Sequence, residues 1–559
     1  MFAKKVKNIK ENSIILTAAA LFYLVLITIS KLDHNPFCGD ESCYGYDAVD
    51  LYYSLQQGLS KWVIKMILIS PEKPPGIVWL GQLFVPFGLF FGSIDKALIF
   101  TTSIFLFLSA GLICISLNKI CDGKKYCGLV GMLLMMSSPM LLTSSFTYLT
   151  EPLQLLCVVL FVFVMAYSES INSILKTFLL FGLIALAFIS KVNTMAFCVA
   201  PSLIITYSIF KNLAFNKEKY RLSIWNFIQI ISIILICGAS ILWYYYNYQT
   251  VLAHLKLAYA GDVAAVWGIK APFKETFSYW CRVSSSELML QATAICTIVF
   301  IITGIITRVI SGPKKFTFFD ICLIASLLQI LFVGILFGMA SNRVTRYLLP
   351  VLPYFSIVVA WGFRWMPLRY IRVGFIIYLL VSIALEYAII TGLHIFPLQE
   401  SIPIRKISNN SNNIDFLNKI LDDTKCTHRS TVQGCVVAID PLFRGDWLAP
   451  APLNYYGFCN YFGNNKTVYY YSGNNFFGSS AEDAINFIKS DIIESVVICD
   501  PNIYEPQDNY INKSLKGKEL TKLIDFLKTS PIYRFRGHIG EDHGILLFKK
   551  NTINQLKKQ

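Results

Sequence analysis

Repeated apolar runs of 16 to 22 residues constrain this chain more than any other feature of it. Each is long enough to cross a hydrocarbon core of about 30 Å, where only a helix satisfies its own backbone, so the runs predict a polytopic membrane protein. The balance of residues agrees, because 55% hydrophobic, 14% aromatic and 15% charged is not the make-up of a soluble globular domain. The first run, Ile14 to Ile29, is followed by Lys31-Leu32-Asp33-His34 and offers no small-residue cleavage site. It reads as a retained first span rather than a signal peptide.

The runs place spans at roughly 12–30, 97–117, 128–148, 152–167, 174–190, 194–210, 224–246, 288–309, 319–340, 347–363 and 373–395. The stretch Ile77 to Phe91 is also apolar, and counting it as a span would invert everything after it. Basic residues arbitrate, since they gather on the cytoplasmic side of a membrane. With 77–91 lying in the interface, one side collects Lys4, Lys5, Lys7 and Lys10, then Lys119, Lys124 and Lys125, then Lys211, Lys217, Lys219 and Arg221. Lys314, Lys315, Arg364, Arg369 and Arg372 fall on the same side. The net charge of +15 is thereby explained as anchoring, and nucleic acid is excluded as a partner. This topology puts Asp40, Glu41, Glu72, Lys73, Glu151, Lys191, Arg343, Arg346 and the loop 247–287 at the opposite, non-cytoplasmic face, together with everything after Ile395.

Beyond Pro397 the long apolar runs stop and Asn, Asp, Ser, Tyr and Gly take over. Short strands (436–439, 468–471, 496–498, 545–548) alternate with helical patterns (414–421, 481–488, 520–527), which predicts a soluble α/β or α+β domain over 397–559. Residues 1–396 then form the membrane module, about 11–13 helices with a first outer segment at 31–96, and Ser408–Asn413 is a linker. The 15 cysteines include no Cys-x-x-Cys. Cys38 and Cys43 bracket the Asp40-Glu41 pair, as a stiffening disulfide or as thiols.

Charge beside a bilayer is expensive and tends to be kept where it acts. Asp40-Glu41 follows the first span among Phe37, Tyr44, Tyr46, Tyr52 and Tyr53, where a carboxylate could take a proton from an incoming hydroxyl or amine. Two adjacent acids are otherwise ordinary solvated charges. Glu72-Lys73-Pro74-Pro75-Gly76 sets a lysine on a stiff extended turn at headgroup depth, suited to neutralising a phosphate or merely to anchoring a helix. In the 247–287 loop, His254, Lys256, Asp262, Trp267 and Arg282 read first as a structured cover.

Taken in order, Asp40-Glu41 after the first span, Glu72-Lys73-Pro74-Pro75-Gly76, Ser138-Pro139, Thr150-Glu151-Pro152 and Arg346-Tyr347-Leu348-Leu349-Pro350 with Pro353 resemble the GT-C glycosyltransferases. The nearest branch in these motifs holds the lipid A aminoarabinose transferases and the protein O-mannosyltransferases. The likeness covers about residues 12–395. It implies a polyprenyl-phosphate-linked sugar as donor, a lipid, glycan or protein acceptor, and inverting transfer outside the cytoplasm, as in a bacterial inner or plasma membrane building envelope glycan. By the resemblance Asp40 is the base or acceptor-orienting acid, Glu41 its partner, and Glu151 a second acid usually found as Asp. Glu72, Lys73, Lys191 and Arg346 face the donor phosphate, and Arg343 joins them without a clear family counterpart. A divalent metal ion stays open, with Asp40, Glu41 and Glu151 as oxygen ligands. A transporter or flippase of lipid-linked saccharide is the competing reading. Such proteins favour paired inverted halves and mid-membrane charge, whereas this chain shows no repeat.

Overall fold

The computed structural model describes residues 20, 24, 28, 33–121, 126–214, 224–260, 271–310, 316–340, 342–391, 412–424, 435–439, 450–461, 468–472, 480–489, 493–500, 517–538 and 545–550. Almost all of the expected first span at 12–30 lies outside them, as do Asp262 and Trp267. By contacts the chain divides into two units, one of 1–31 with 51–407 and one of 32–50 with 408–559. The N-terminal stretch that carries Asp40 and Glu41 is thus part of the second unit.

The helices follow in order: α1 Asp40–Gln56, α2 Leu59–Leu68, α3 Gly76–Gly81, α4 Val85–Phe91, α5 Ile94–Ile120, α6 Cys127–Met136, α7 Pro139–Ser144, α8 Glu151–Ala166, α9 Ser173–Ser190 and α10 Val199–Ala214. They continue as α11 Ile224–Ala260, α12 Phe273–Val283, α13 Gln291–Ile310, α14 Phe318–Met339, α15 Leu352–Trp365 and α16 Arg369–Ile390. Seven helical segments among the described residues are long and apolar enough to cross a membrane: Ile94–Ile120, Ser173–Ser190, Asn226–Lys256, Gln291–Ile310, Phe318–Met339, Thr345–Trp365 and Arg369–Ile390. The chain is an integral membrane protein.

Two expectations change in detail, and a third, that the run 77–91 does not span, stands. The run 77–91 forms α3 and α4, of six and seven residues, each far too short to span. The run 128–148 breaks into α6 and α7 because Pro139 lacks a donor and Ser138 instead caps α7, accepting from Leu141 N. The predicted loop 247–287 is largely helix, since α11 continues through Ala253-His254-Leu255-Lys256-Leu257 to Ala260 and α12 follows. At 37 residues α11 is about 55 Å long, well beyond the hydrocarbon thickness.

Packing sorts the spans. The segment Thr345–Trp365 is 83% buried and sits at the centre, whereas Asn226–Lys256 is 17% buried and turns its aliphatic side chains outward. Exposed Ile234, Leu235, Ile298, Ile302 and Leu328 would be a liability in water and are the proper surface against lipid. α13 and α15 approach closely because Gly362 lacks a side chain; a Cβ there would lie 2.7 Å from the backbone of Phe300.

In the second unit, α17 Asn412–Asp423, α18 Pro450–Tyr461, α19 Ala481–Ile488 and α20 Gly517–Thr529 accompany five strands. These are β1 Cys435–Ile439, β2 Val468–Ser472, β3 Ile493–Cys499, β4 Tyr533–His538 and β5 Ile545–Lys550. The sheet order is β2-β1-β3-β5-β4, with β1 parallel to both β2 and β3 and β5 antiparallel to its neighbours. Ala484, Ile488, Leu520, Leu523 and Leu527 bury the helix faces against Val496, Ile498 and Phe548. The alternation is that of the expected α/β or α+β fold class, and by contacts residues 32–50 join this unit.

Candidate active site

Helix direction brings three of the predicted residues to one end of the bundle. Glu151 opens α8, Lys191 directly follows the last residue of α9, and Arg346 lies in the 3-10 helix Thr345–Val351 that leads into α15. Glu151 is buried, and its Oε1 accepts from Lys191 Nζ at 2.8 Å and from Arg346 Nε at 3.1 Å. The other oxygen has the Thr150 hydroxyl at 3.5 Å. Lys191 also stands over the Tyr347 ring, 3.7 Å from its centroid, with Arg346 at 5.9 Å. Lys191 and Arg346 keep 21% and 32% of their side chains exposed, so both cations reach the rim. That arrangement is suited to receiving an anion. Glu151 fits as the partner of two cations rather than as the ligand of a third, and among the described residues no three His, Cys, Asp or Glu side chains converge.

Next to Glu151 on α8, Gln154 donates to Asn193 Oδ1 at 2.9 Å, tying the turn after Lys191 to α8. Ser190 and Thr194 hydroxyls meet at 3.0 Å and tighten the same turn. The buried Gln154 Oε1 has no protein partner.

The Glu72-Lys73-Pro74-Pro75-Gly76 turn is seated on this end of α9. A Cβ at Gly76 would fall 2.6 Å from the Ile189 carbonyl oxygen and 3.1 Å from Leu153, so only glycine permits the approach. Tyr148 Oη donates to Ile77 O at 2.7 Å and holds the next residue. The entering helix α2 is fixed at its C-terminus, where carbonyls lack helical partners. Trp79 Nε1 donates to Met66 O at 3.1 Å, Asn247 Nδ2 to Ile67 O at 2.8 Å and Trp243 Nε1 to Ile69 O at 3.1 Å. Glu72 remains largely exposed, with His254 Nδ1 3.6 Å from its Oε2. His254 reaches it because α11 runs on past the predicted span end, and the sequence reading, which treats 247–287 as a cover, misses this pairing.

Arg343 goes elsewhere. Its Nη2 contacts Glu275 Oε1 at 3.3 Å and Thr276 Oγ1 at 3.4 Å, and its guanidinium lies over the Tyr279 ring, so α12 holds it. Asp40 and Glu41 are the first two residues of α1, not of a loop. Gly39 takes φ 49° to start the helix, and acids in its first turn face the positive end of the helix dipole. Glu41 is buried and Asp40 half-buried. No disulfide joins Cys38 to Cys43; Cys38 Sγ lies 3.7 Å from Glu41 Oε2. Within the second unit Phe37 stacks on Tyr455 at 5.2 Å and its N–H donates to Tyr456 Oη at 3.0 Å.

No protein-family model matches the sequence, and no curated protein matches it significantly. Solved structures match its fold. ArnT from Cupriavidus metallidurans bound to undecaprenyl phosphate superposes with a TM-score of 0.54 over 96% of this chain and 98% of the other, at 10% identity. The apo state of ArnT from the same organism gives 0.54 over 96% and 97%, at 11% identity. The arabinofuranosyltransferase AftD from Mycobacteria gives 0.48, covering 95% of this chain and 41% of its own, at 10% identity. The chain shares its fold with these ArnT structures.

Proposed function

We propose that this protein is a membrane glycosyltransferase that moves a sugar from a polyprenyl-phosphate donor to a lipid, glycan or protein acceptor on the non-cytoplasmic side. One observation carries the reading: Lys191 and Arg346 share a single buried carboxylate oxygen, which fixes two partly exposed cations at a rim beside the Glu72-Lys73 turn. The ArnT likeness supports it through the fold, and that relative is bound to undecaprenyl phosphate.

In the proposed reaction the acceptor oxygen or nitrogen attacks the anomeric carbon. The bond from that carbon to the phosphate oxygen breaks, the polyprenyl phosphate departs, and the configuration inverts. Asp40 takes the acceptor's proton, with Glu41 beside it in sequence. Lys73, Lys191 and Arg346 offset the charge that builds on the leaving phosphate. Glu151 holds Lys191 and Arg346 in place, so it is assigned here as a positioning residue rather than a base. Glu72 is assigned to donor binding with His254 beside it, and Arg343 to holding α12.

The test is transfer by reconstituted protein from a radiolabelled polyprenyl-phosphate sugar. Asp40→Asn and Lys73→Ala are each expected to lower the rate at least about a hundredfold, the scale of one general base or one charge-stabilising group. Wild-type rates in both variants would end the site assignment. Movement of the lipid-linked sugar across the bilayer without any transfer would favour a flippase.

A further inference from the structure

At the opposite end of the central helix from Arg346, a second cluster of cations has no part in the proposed reaction. Asp320 opens this cluster and is fully engaged. Its Oδ2 accepts from Arg308 Nη2 at 2.6 Å, from the Thr317 backbone N–H at 2.8 Å and from the Thr317 hydroxyl at 2.8 Å. Its Oδ1 accepts from Trp361 Nε1 at 3.0 Å. Both oxygens are thus engaged, and among the described residues no ion pair joins Asp320 to the next arginine.

That arginine is Arg364, on the last turn of α15. Its guanidinium stands 5.5 Å from the Phe319 ring centroid and 5.9 Å from that of Trp365, and Arg308 lies 4.9 Å from the same Trp365 ring. Two guanidinium groups therefore gather around one indole while Asp320 is committed to one of them. The Nε of Arg364 is buried with no hydrogen-bond partner, and the side chain makes no ion pair among the described residues. Arg372, in the first turn of α16 at the same end, also buries its Nε without a partner. An arginine donor withdrawn from water without an acceptor costs free energy unless an anion completes it.

We propose that Arg364, with Arg308 across the Trp365 ring, forms a binding site for a phosphate group, supplied by an anionic lipid headgroup. The planar fork of an arginine matches a phosphate with two parallel hydrogen bonds, which no ring contact replaces. A tryptophan at the end of a span lies at headgroup depth, where a phosphodiester reaches it from the membrane. The site is separate from the Glu151 cluster and does not depend on the transferase reading.

The experiment uses full-length protein purified in detergent and stripped of lipid, with bound lipid counted by native mass spectrometry and thermal unfolding followed in parallel. The probes are phosphatidylglycerol, zwitterionic phosphatidylcholine and inorganic phosphate alone. Phosphatidylglycerol is expected to bind and raise the unfolding midpoint, and Arg364→Gln to weaken that binding about tenfold, equivalent to about 1.4 kcal/mol, with an unchanged midpoint in the absence of lipid. Arg364→Lys keeps the charge without the fork, and its affinity is expected to fall between the two. A rise produced equally by inorganic phosphate would support the anion site and assign it to soluble phosphate instead. Three results overturn the proposal: equal binding of phosphatidylglycerol by wild type and both variants, a response to phosphatidylcholine as large as to phosphatidylglycerol, or no response to any probe.

Discussion

Replacing Glu151 by Gln keeps the shape of the side chain and removes the charge that joins two cations. Lys191 Nζ and Arg346 Nε both contact the same oxygen, at 2.8 and 3.1 Å, so they stand no more than about 6 Å apart. At an effective dielectric of about 20 their mutual repulsion is about 3 kcal/mol. Both side chains are partly exposed, so solvent screening halves that figure to about 1.5 kcal/mol. The lost attraction in a mostly buried pair adds to it, giving about 2–4 kcal/mol of destabilisation for Glu151→Gln. Lys191→Met leaves the Glu151–Arg346 pair balanced and should cost about 1–2 kcal/mol. The double variant removes the repulsion as well as the attraction, so its cost should fall short of the sum by about 1–2 kcal/mol. Buried thiols at Cys114, Cys157, Cys198 and Cys322 let a thiol-reactive dye report unfolding in detergent. Transfer should not recover in the double variant, because Lys191 itself is assigned to the phosphate. Additive costs, within about 0.5 kcal/mol, would refute the idea that Glu151 exists to hold the two cations together.

Other expectations follow from the same geometry. Gly76→Ala drives a Cβ to 2.6 Å from the Ile189 carbonyl and should cost about 1–3 kcal/mol with a matching loss of transfer; Gly238→Ala, mid-helix with nothing within 4 Å, should instead stabilise by up to about 1 kcal/mol. Thermal unfolding separates the two, and like behaviour would contradict the close-approach argument. Asn247→Leu orphans the Ile67 carbonyl at a buried position, so amide exchange across α2 should speed up by about tenfold or more, corresponding to at least about 1 kcal/mol. Arg343→Met loses an ion pair to the exposed Glu275 and should cost no more than about 1 kcal/mol. Its transfer rate should stay within several-fold of wild type, and a hundredfold fall would return Arg343 to the phosphate site.

The membrane helices are legible in the sequence because lipid demands long apolar runs, and a run has few other meanings. Breaks inside runs are harder to foresee: Ser138-Pro139 divides one span by local capping chemistry that hydropathy does not register. The end of α11 is misread for the opposite reason, because Asn247, Gln249 and Thr250 end the apolar run while Ala253 to Ala260 is rich in Ala, Leu and Lys, which are good helix formers. That error hides His254 from Glu72. For Glu151, Lys191 and Arg346 the sequence supplies a common depth, and the contact itself depends on which helices are neighbours, which only packing decides. In the second unit β4 Tyr533–His538 goes unseen since Arg534 and Arg536 interrupt the apolar pattern on an edge strand. α18 goes unseen because Pro450-Ala451-Pro452 reads as a turn. The assignment of 32–50 to the second unit has no local signature at all.

That last feature bears on how the protein comes to be made. Asp40 and Glu41 leave the ribosome ahead of helices α2 to α16, yet the segment that carries them packs on Tyr455 and Tyr456, some four hundred residues downstream. Throughout synthesis of the membrane helices the acid pair has none of these neighbours. A chain that stops between α16 and α18 would contain every transmembrane motif and still lack the packing of the segment that carries its acids. The order of synthesis therefore keeps the acid pair unassembled until after α16, the last of the described membrane helices, has been made.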